Sequence, residues 1–217
     1  MKKDFWLERW ERTEIGFHQN EINQYLIRHW PDIRITRGNT VFVPLCGKSQ
    51  DMIWLRKQKL DVIGVELSPV AVRSFFAENG LDPVTSIHGN FDQCEADHIR
   101  ILCGDFFDLG ADSLKQVSAV FDRASLVALP PEMRERYARH MLEILPSGTQ
   151  ILLITFEYDQ SKMSGPPFAV TREEVYKLYQ GATAVELLAH MDTLDDNQRF
   201  RVRGLDHLFE NIFRITV

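Results

Sequence analysis

An acid at the end of one apolar run, and a glycine at the end of another, are the first features of this sequence with chemical meaning. Val41-Phe42-Val43-Pro44-Leu45-Cys46 breaks at Gly47, and Asp61-Val62-Ile63-Gly64-Val65-Glu66 closes on a carboxylate twenty residues after Cys46. With a helix from Ser49 to about Gln58 between them, the two runs form a right-handed βαβ unit. That spacing sets Glu66 at the carboxyl end of the second strand, beside the glycine turn, where a ribose can be held through its hydroxyls. Two further acids follow apolar runs in the same way: Asp105, with Phe106, after Ile99 to Cys103, and Asp122, with Arg123, after Val117 to Phe121. Ligands of open α/β sheets sit outside the carboxyl ends of the strands, so Glu66, Asp105, Phe106 and Arg123 are site candidates.

Three nucleotide readings compete for the glycine turn. Gly47-Lys48-Ser49 imitates a P-loop, but a P-loop also needs a glycine five residues earlier, and Phe42 stands there. Its phosphate cradle of backbone N–H groups is incomplete. A dinucleotide turn wants G-x-G-x-x-G, and Gly47 is the only glycine of that pattern present. S-adenosylmethionine carries no phosphate. It needs a close-approach turn for its amino-acid tail, an acid for its ribose and a pocket for its adenine. Gly47 and Glu66 supply the first two, and Asp105 and Phe106 bound the third, one by polarity and one by its ring face.

The elements that must position these groups follow from the hydrophobic periodicity. A helix is expected over residues 4 to 15 with Trp6 and Trp10 on one face, a spacing that by itself reads as a buried stripe. A second amphipathic segment carries Ile22, Tyr25, Leu26 and Trp30 and stops at Pro31. Ser68 and Pro69 open the helix after Glu66, which ends near Gly80. The long connection from Gly80 to Ile99 suggests a hairpin with arms Phe91 to Cys94 and Ile99 to Cys103. Pro131 opens a helix with Met133, Tyr137, Met141, Leu142 and Leu145 inward, and Gln150 to Phe156 is the fifth strand. Thr171-x-x-Glu174 is a capping box. Ala184 to His190 and Phe209 to Val217 complete the sheet as an antiparallel edge, joined by a polar connection from Asp192 to Arg203.

This alternation predicts an α/β, Rossmann-type fold, mostly parallel, with an antiparallel C-terminal edge and an N-terminal helical cap. At 217 residues and 44% hydrophobic content, one domain spanning 1–217 is expected, burying roughly 70% of its unfolded surface; residues 1–36 form the cap. Twenty-five basic against thirty-one acidic residues, a net charge of -6, argue against nucleic acid or membrane partners. No 18-residue apolar run and no signal-peptide core occur, so a cytoplasmic location is expected. Cys46, Cys94 and Cys103 have no CxxC spacing, and the seven histidines show no ligand spacing, so no metal is expected.

The sequence resembles the bacterial thiopurine S-methyltransferases nearly end to end. The resemblance runs through Phe5-Trp6-x-x-Arg9-Trp10, Gly16-Phe17-His18-Gln19, Pro44-Leu45-Cys46-Gly47-Lys48-Ser49-x-Asp51-Met52, Gly64-Val65-Glu66-Leu67-Ser68, Asp122-Arg123-Ala124 and Gly204-Leu205-Asp206. It implies that Trp10, Leu45, Glu66 and Arg123 contact S-adenosyl-L-methionine and that Asp105 and Phe106 line the adenine pocket. Phe17, Arg123 and one arginine of Arg199, Arg201 and Arg203 would face the acceptor, with Arg199 the choice and Arg201 the alternative. Trp10 thereby moves from core stripe to lid.

The implied reaction is methyl transfer to the sulfur of an aromatic or heterocyclic thiol by a monomer acting on a small molecule. A selenium or tellurium acceptor, or a catalytically silent cofactor-binding module, is the alternative. Alignment of nucleophile, methyl and leaving sulfur supplies about 7–11 kcal/mol of the barrier reduction, so no catalytic acid or base is assigned. Arg123 is placed to stabilise a thiolate. Leu129-Pro130-Pro131 and Gly165-Pro166-Pro167-Phe168 lack the leading Asn or Asp that amine methyltransferases use, which disfavours methylation of amino groups.

Overall fold

In a computed structural model that describes residues 3–35 and 39–217, the chain builds one nine-stranded sheet. Its strands are β1 (Thr40–Val43), β2 (Asp61–Glu66), β3 (Val84–His88), β4 (Phe91–Ala96), β5 (Ile99–Cys103), β6 (Val117–Arg123), β7 (Gln150–Glu157), β8 (Ala184–Asp192) and β9 (Phe209–Thr216). The spatial order is β3-β4-β5-β2-β1-β6-β7-β9-β8. From β5 through β2, β1 and β6 to β7 every pairing is parallel, and both flanks are antiparallel. The strand order reverses at β1, which has β2 on one side and β6 on the other. That switch point is where a ligand crevice opens in such folds.

Period-two alternation sends successive side chains to opposite faces, and both faces are covered. Phe42, Val120, Ile151 and Leu153 pack on one side with Tyr137 and Met141 of α5 (Pro131–Ile144) and Val175 of α6 (Arg172–Leu178). Val41, Val43, Phe121, Leu152 and Ile154 pack on the other with Leu55 of α3 (Asp51–Lys57), Phe75 and Phe76 of α4 (Pro69–Glu78), and Leu26 of α2 (Gln24–His29). A smaller cluster gathers Tyr158, Leu194, Leu208 and Phe200, the last from α7 (Gln198–Val202). Among the described residues, no helix is long and apolar enough to cross a membrane.

Three elements differ from the sequence expectation. The first helix, α1, runs Lys3–Glu11 and stops short of residue 15, because Thr13 takes a left-handed φ of 58° and the Glu14 N–H folds back onto the Arg9 carbonyl. The hairpin forms as β4 and β5, but β3 adds a third arm whose five residues are all exposed. The polar connection after β8 contains α7 as well as loop. Residues 1, 2 and 36 of the expected cap lie outside the described residues.

Candidate functional site

The carboxyl ends of β1, β2, β5 and β6 open into a cleft of about 410 Å³ roofed by α1 and the loop after it. All eight residues singled out from the sequence line it: Trp10, Phe17, Leu45, Glu66, Asp105, Phe106, Arg123 and Arg199.

Glu66 is buried at the end of β2. Its Oε2 accepts from the Gly47 N–H and its Oε1 from the Ser68 N–H, both at 2.8 Å. The Ser68 side chain also caps α4 by accepting from the Ala71 N–H. Burial pushes the Glu66 carboxyl up from the usual range, and the backbone donors pull it back. Each carboxylate oxygen has two lone pairs, so acceptor capacity remains beside the backbone bonds. Two vicinal ribose hydroxyls can donate to those acceptors, and the residues fit an adenosine cofactor on this count.

The turn opposite Glu66 has an unusual backbone. Leu45 takes φ 44° and Ala124, at the matching end of β6, takes φ 65°. Left-handed backbone at a residue with a side chain costs about 1–3 kcal/mol and is retained mainly at functional sites. Gly47, at φ 53°, leaves so little room that a Cβ there would come within 3.2 Å of the Trp10 ring. Trp10 therefore lies directly on the glycine turn. Trp10 is buried and meets Phe17 edge to face, with centroids 5.6 Å apart.

Asp105 follows β5. Its Oδ1 accepts from the Phe107 N–H at 2.9 Å, and its Oδ2 pairs with Lys3 Nζ at 2.6 Å, so the first residue of α1 is tied to the pocket it covers. Phe106 is buried beside Tyr137, with ring centroids 4.7 Å apart.

Arg123 ends β6 with 15% of its side chain exposed, and its Nη1 stands 4.0 Å from Asp51 Oδ2. Asp51 is itself fixed, since its Oδ1 accepts from the Asn23 N–H at 2.7 Å and its Oδ2 from Ser49 Oγ at 2.8 Å. At 4.0 Å the pair is an ion contact without a hydrogen bond, which leaves guanidinium donors for a ligand. Burial lowers the Arg123 pKa, and Asp51 and Glu210 oppose that shift. Arg199, one of two exposed arginines of α7, donates from Nη1 to the Gly16 carbonyl. It joins the C-terminal helix to the loop that carries Phe17. Arg203 also lines the cleft, whereas Arg201 pairs with Asp195.

A family model described as thiopurine S-methyltransferase matches residues 1–217. A thiopurine S-methyltransferase of Nitrosospira multiformis is 61% identical over 213 residues, covering 98% of this chain and 97% of that one. The chain belongs to the thiopurine S-methyltransferase family. Another member, from Azotobacter vinelandii, is 49% identical and covers 99% of both chains. Solved structures share the fold at low identity. A Burkholderia thailandensis 1,6-didemethyltoxoflavin-N1-methyltransferase with S-adenosylhomocysteine bound superposes with a TM-score of 0.63 at 14% identity, over 99% of this chain and 87% of that one. A Haemonchus contortus phosphoethanolamine N-methyltransferase with S-adenosyl-L-methionine bound gives 0.67 at 10% identity, over 99% of this chain and 57% of that larger one.

In this thiopurine S-methyltransferase family member, sequence reasoning missed the groups that hold the site residues in place. Lys3 and Asp51 pair with Asp105 and Arg123 across distances in sequence that no local pattern spans. Asp122, fully buried, accepts from Tyr137 Oη at 2.8 Å, and burial pushes its carboxyl up to about 6. Ser125 Oγ donates to the Pro44 carbonyl at 3.2 Å, fastening the ends of β1 and β6 to each other. Glu210 also lines the cleft. A signal for it was present, since Glu210 and Asn211 interrupt the last apolar run.

Proposed function

We propose that the protein transfers the methyl group of S-adenosyl-L-methionine to the sulfur of aromatic and heterocyclic thiols such as thiopurines, giving S-adenosyl-L-homocysteine and an S-methyl product. The observation that carries this reading is the convergence of the eight residues on one cleft at the switch point of the sheet, in a chain whose family is shown end to end. Trp10, Leu45, Glu66, Asp105, Phe106 and Arg123 hold the cofactor; Phe17, Arg123 and Arg199 face the acceptor. The protein acts as a single domain with residues 1–36 as its cap, and as a cytoplasmic monomer.

The cofactor, when bound, supplies a methyl group already activated on a sulfonium. What remains for the chain is positioning and electrostatics. Glu66 and Asp105 fix the adenosine from opposite ends. Trp10 and Phe17 close over the turn and keep water from the reacting sulfur. Arg123, with donors free, meets negative charge on the acceptor. Incubation of the protein with S-adenosyl-L-methionine and a thiopurine is expected to yield S-adenosylhomocysteine only when the thiol is present. Its formation without thiol, or none with it, contradicts the reading.

Cofactor affinity gives a separate check. Glu66→Gln keeps one acceptor oxygen and turns the other into an amide that opposes a backbone N–H. S-adenosylmethionine binding is expected to weaken by about 1–3 kcal/mol in calorimetric titration. Thermal stability without the cofactor should move little, because the lost hydrogen bond is offset by removal of a buried charge. Unchanged affinity takes Glu66 out of the site.

A further inference from the structure

One carboxyl in the cleft has no part in the alignment of cofactor and thiol. Glu210 lies on β9, in register with Phe156 of β7 and Met191 of β8, and is 8% exposed. Among the described residues its carboxyl receives one hydrogen bond, from Thr193 Oγ1 at 3.5 Å. That hydroxyl lies nearer to the Leu208 carbonyl, at 3.2 Å. A threonine hydroxyl carries one hydrogen and cannot serve both acceptors fully. A buried carboxyl on the cleft wall is therefore left with acceptor capacity unspent.

Its charged surroundings come from several elements. Arg123 of β6 attracts it, and Asp196, in the connection between β8 and α7, repels it. Tyr25 of α2 faces the Glu210–Asp196 pair, and its phenol is pushed up to about 12 by burial and by both acids. Asp51 of α3 and Arg199 of α7 also act on Arg123, with opposite signs. Burial outweighs Arg123 and lifts the Glu210 carboxyl to about 7, close to the value at which a general base works best near neutral pH.

We propose that Glu210 is the base that removes the acceptor's proton during methyl transfer. The inference rests on the S-methylation reading above. A heterocyclic thiol at neutral pH holds a proton on sulfur or on the adjacent ring nitrogen, and methylation at sulfur releases it. The acceptor sulfur supplies the electron pair of the new S–C bond. The sulfonium S–C bond breaks with its pair left on the departing sulfur, and the proton passes to a Glu210 oxygen and then to water. Glu210 and Arg123 divide the work: the carboxylate takes the proton, and the arginine offsets the negative charge that develops on the acceptor as the proton leaves.

An acceptor that is already ionised needs no base, and this separates the proposal from a structural role. The wild type and Glu210→Gln are compared at neutral pH on two acceptors: a thiopurine that is largely protonated, and 5-thio-2-nitrobenzoate, whose thiol ionises well below neutrality. The variant is expected to lose about 10²-fold in kcat/KM on the thiopurine while staying within about threefold of wild type on the ionised thiol. The thiopurine loss should shrink as pH rises past that acceptor's own ionisation, with S-adenosylmethionine affinity unchanged throughout. Equal slowing on both acceptors assigns Glu210 to holding Arg123 in place and overturns the proposal, and so does no slowing on either. If the wild type methylates neither acceptor, the S-methylation reading fails and the base assignment falls with it.

Discussion

Arg123→Lys is expected to lower kcat/KM for a thiopurine by about 10²-fold, the scale on which losing one preorganised donor to a developing or existing anion acts. The structure puts Arg123 in the cleft wall, with Asp51 4.0 Å away to hold the head group without consuming its donors. A lysine ammonium keeps the charge, but it lacks the planar fork that fixes direction, and it would swing toward Asp51. S-adenosylmethionine affinity, to which Arg123 also contributes, should fall far less than the rate does, so most of the loss falls on the transfer step. Raising the pH should not restore the rate, because an ionised acceptor still needs its counter-charge; in this the variant differs from Glu210→Gln. A kcat/KM within about twofold of wild type, under about 0.4 kcal/mol, would remove Arg123 from the chemistry.

The second large effect is on stability. Arg134, on the inward face of α5, is 1% exposed. It donates from Nε to the Leu129 carbonyl at 2.9 Å and from Nη1 to both oxygens of Glu174 at 2.7 Å. Glu174 belongs to the capping box of α6, where Thr171 Oγ1 accepts from its N–H at 3.2 Å. This ion pair thus joins α5 to α6. Arg134→Ala leaves the Leu129 carbonyl and the Glu174 carboxylate without their donor. The expected loss is about 3 kcal/mol, at the lower end for a broken buried pair, because Glu174 keeps 28% of its side chain exposed and partly rehydrates. For a chain of this size that is a fall in Tm of about 6–12 °C. Replacing both partners together by apolar residues should recover much of it. A thermal melt of Arg134→Ala within about 2 °C of wild type would contradict this account of the pair.

The contrast between these two arginines marks what was legible in the sequence. Arg123 stands at the end of an apolar run in a βαβ repeat, a pattern contained in consecutive residues, and so it was readable as a site candidate. The same holds for Glu66 and Gly47, which sit where one strand, one turn and one helix must place them. Arg134 sits three residues before Tyr137 on a face that periodicity reads as apolar. Its burial depends on Glu174, forty residues on in another helix, and no local pattern carries such a pairing. β3 was missed because its residues are all exposed, so no hydrophobic alternation distinguishes it from a loop. α7 was missed because Phe200 alone of its residues is buried. The extent of α1 was overestimated because the left-handed turn at Thr13 occurs at a residue type that rarely adopts it.

Transfer from a cofactor carrying a deuterated methyl group is the most direct measurement of the central claim. With the protein, that cofactor and a thiopurine, mass and NMR analysis of the product is expected to show one intact CD₃ group on sulfur for each S-adenosylhomocysteine formed. A CD₃ group on a ring nitrogen, or tight binding of the cofactor with no labelled product, would contradict the assignment of this cleft to S-methylation.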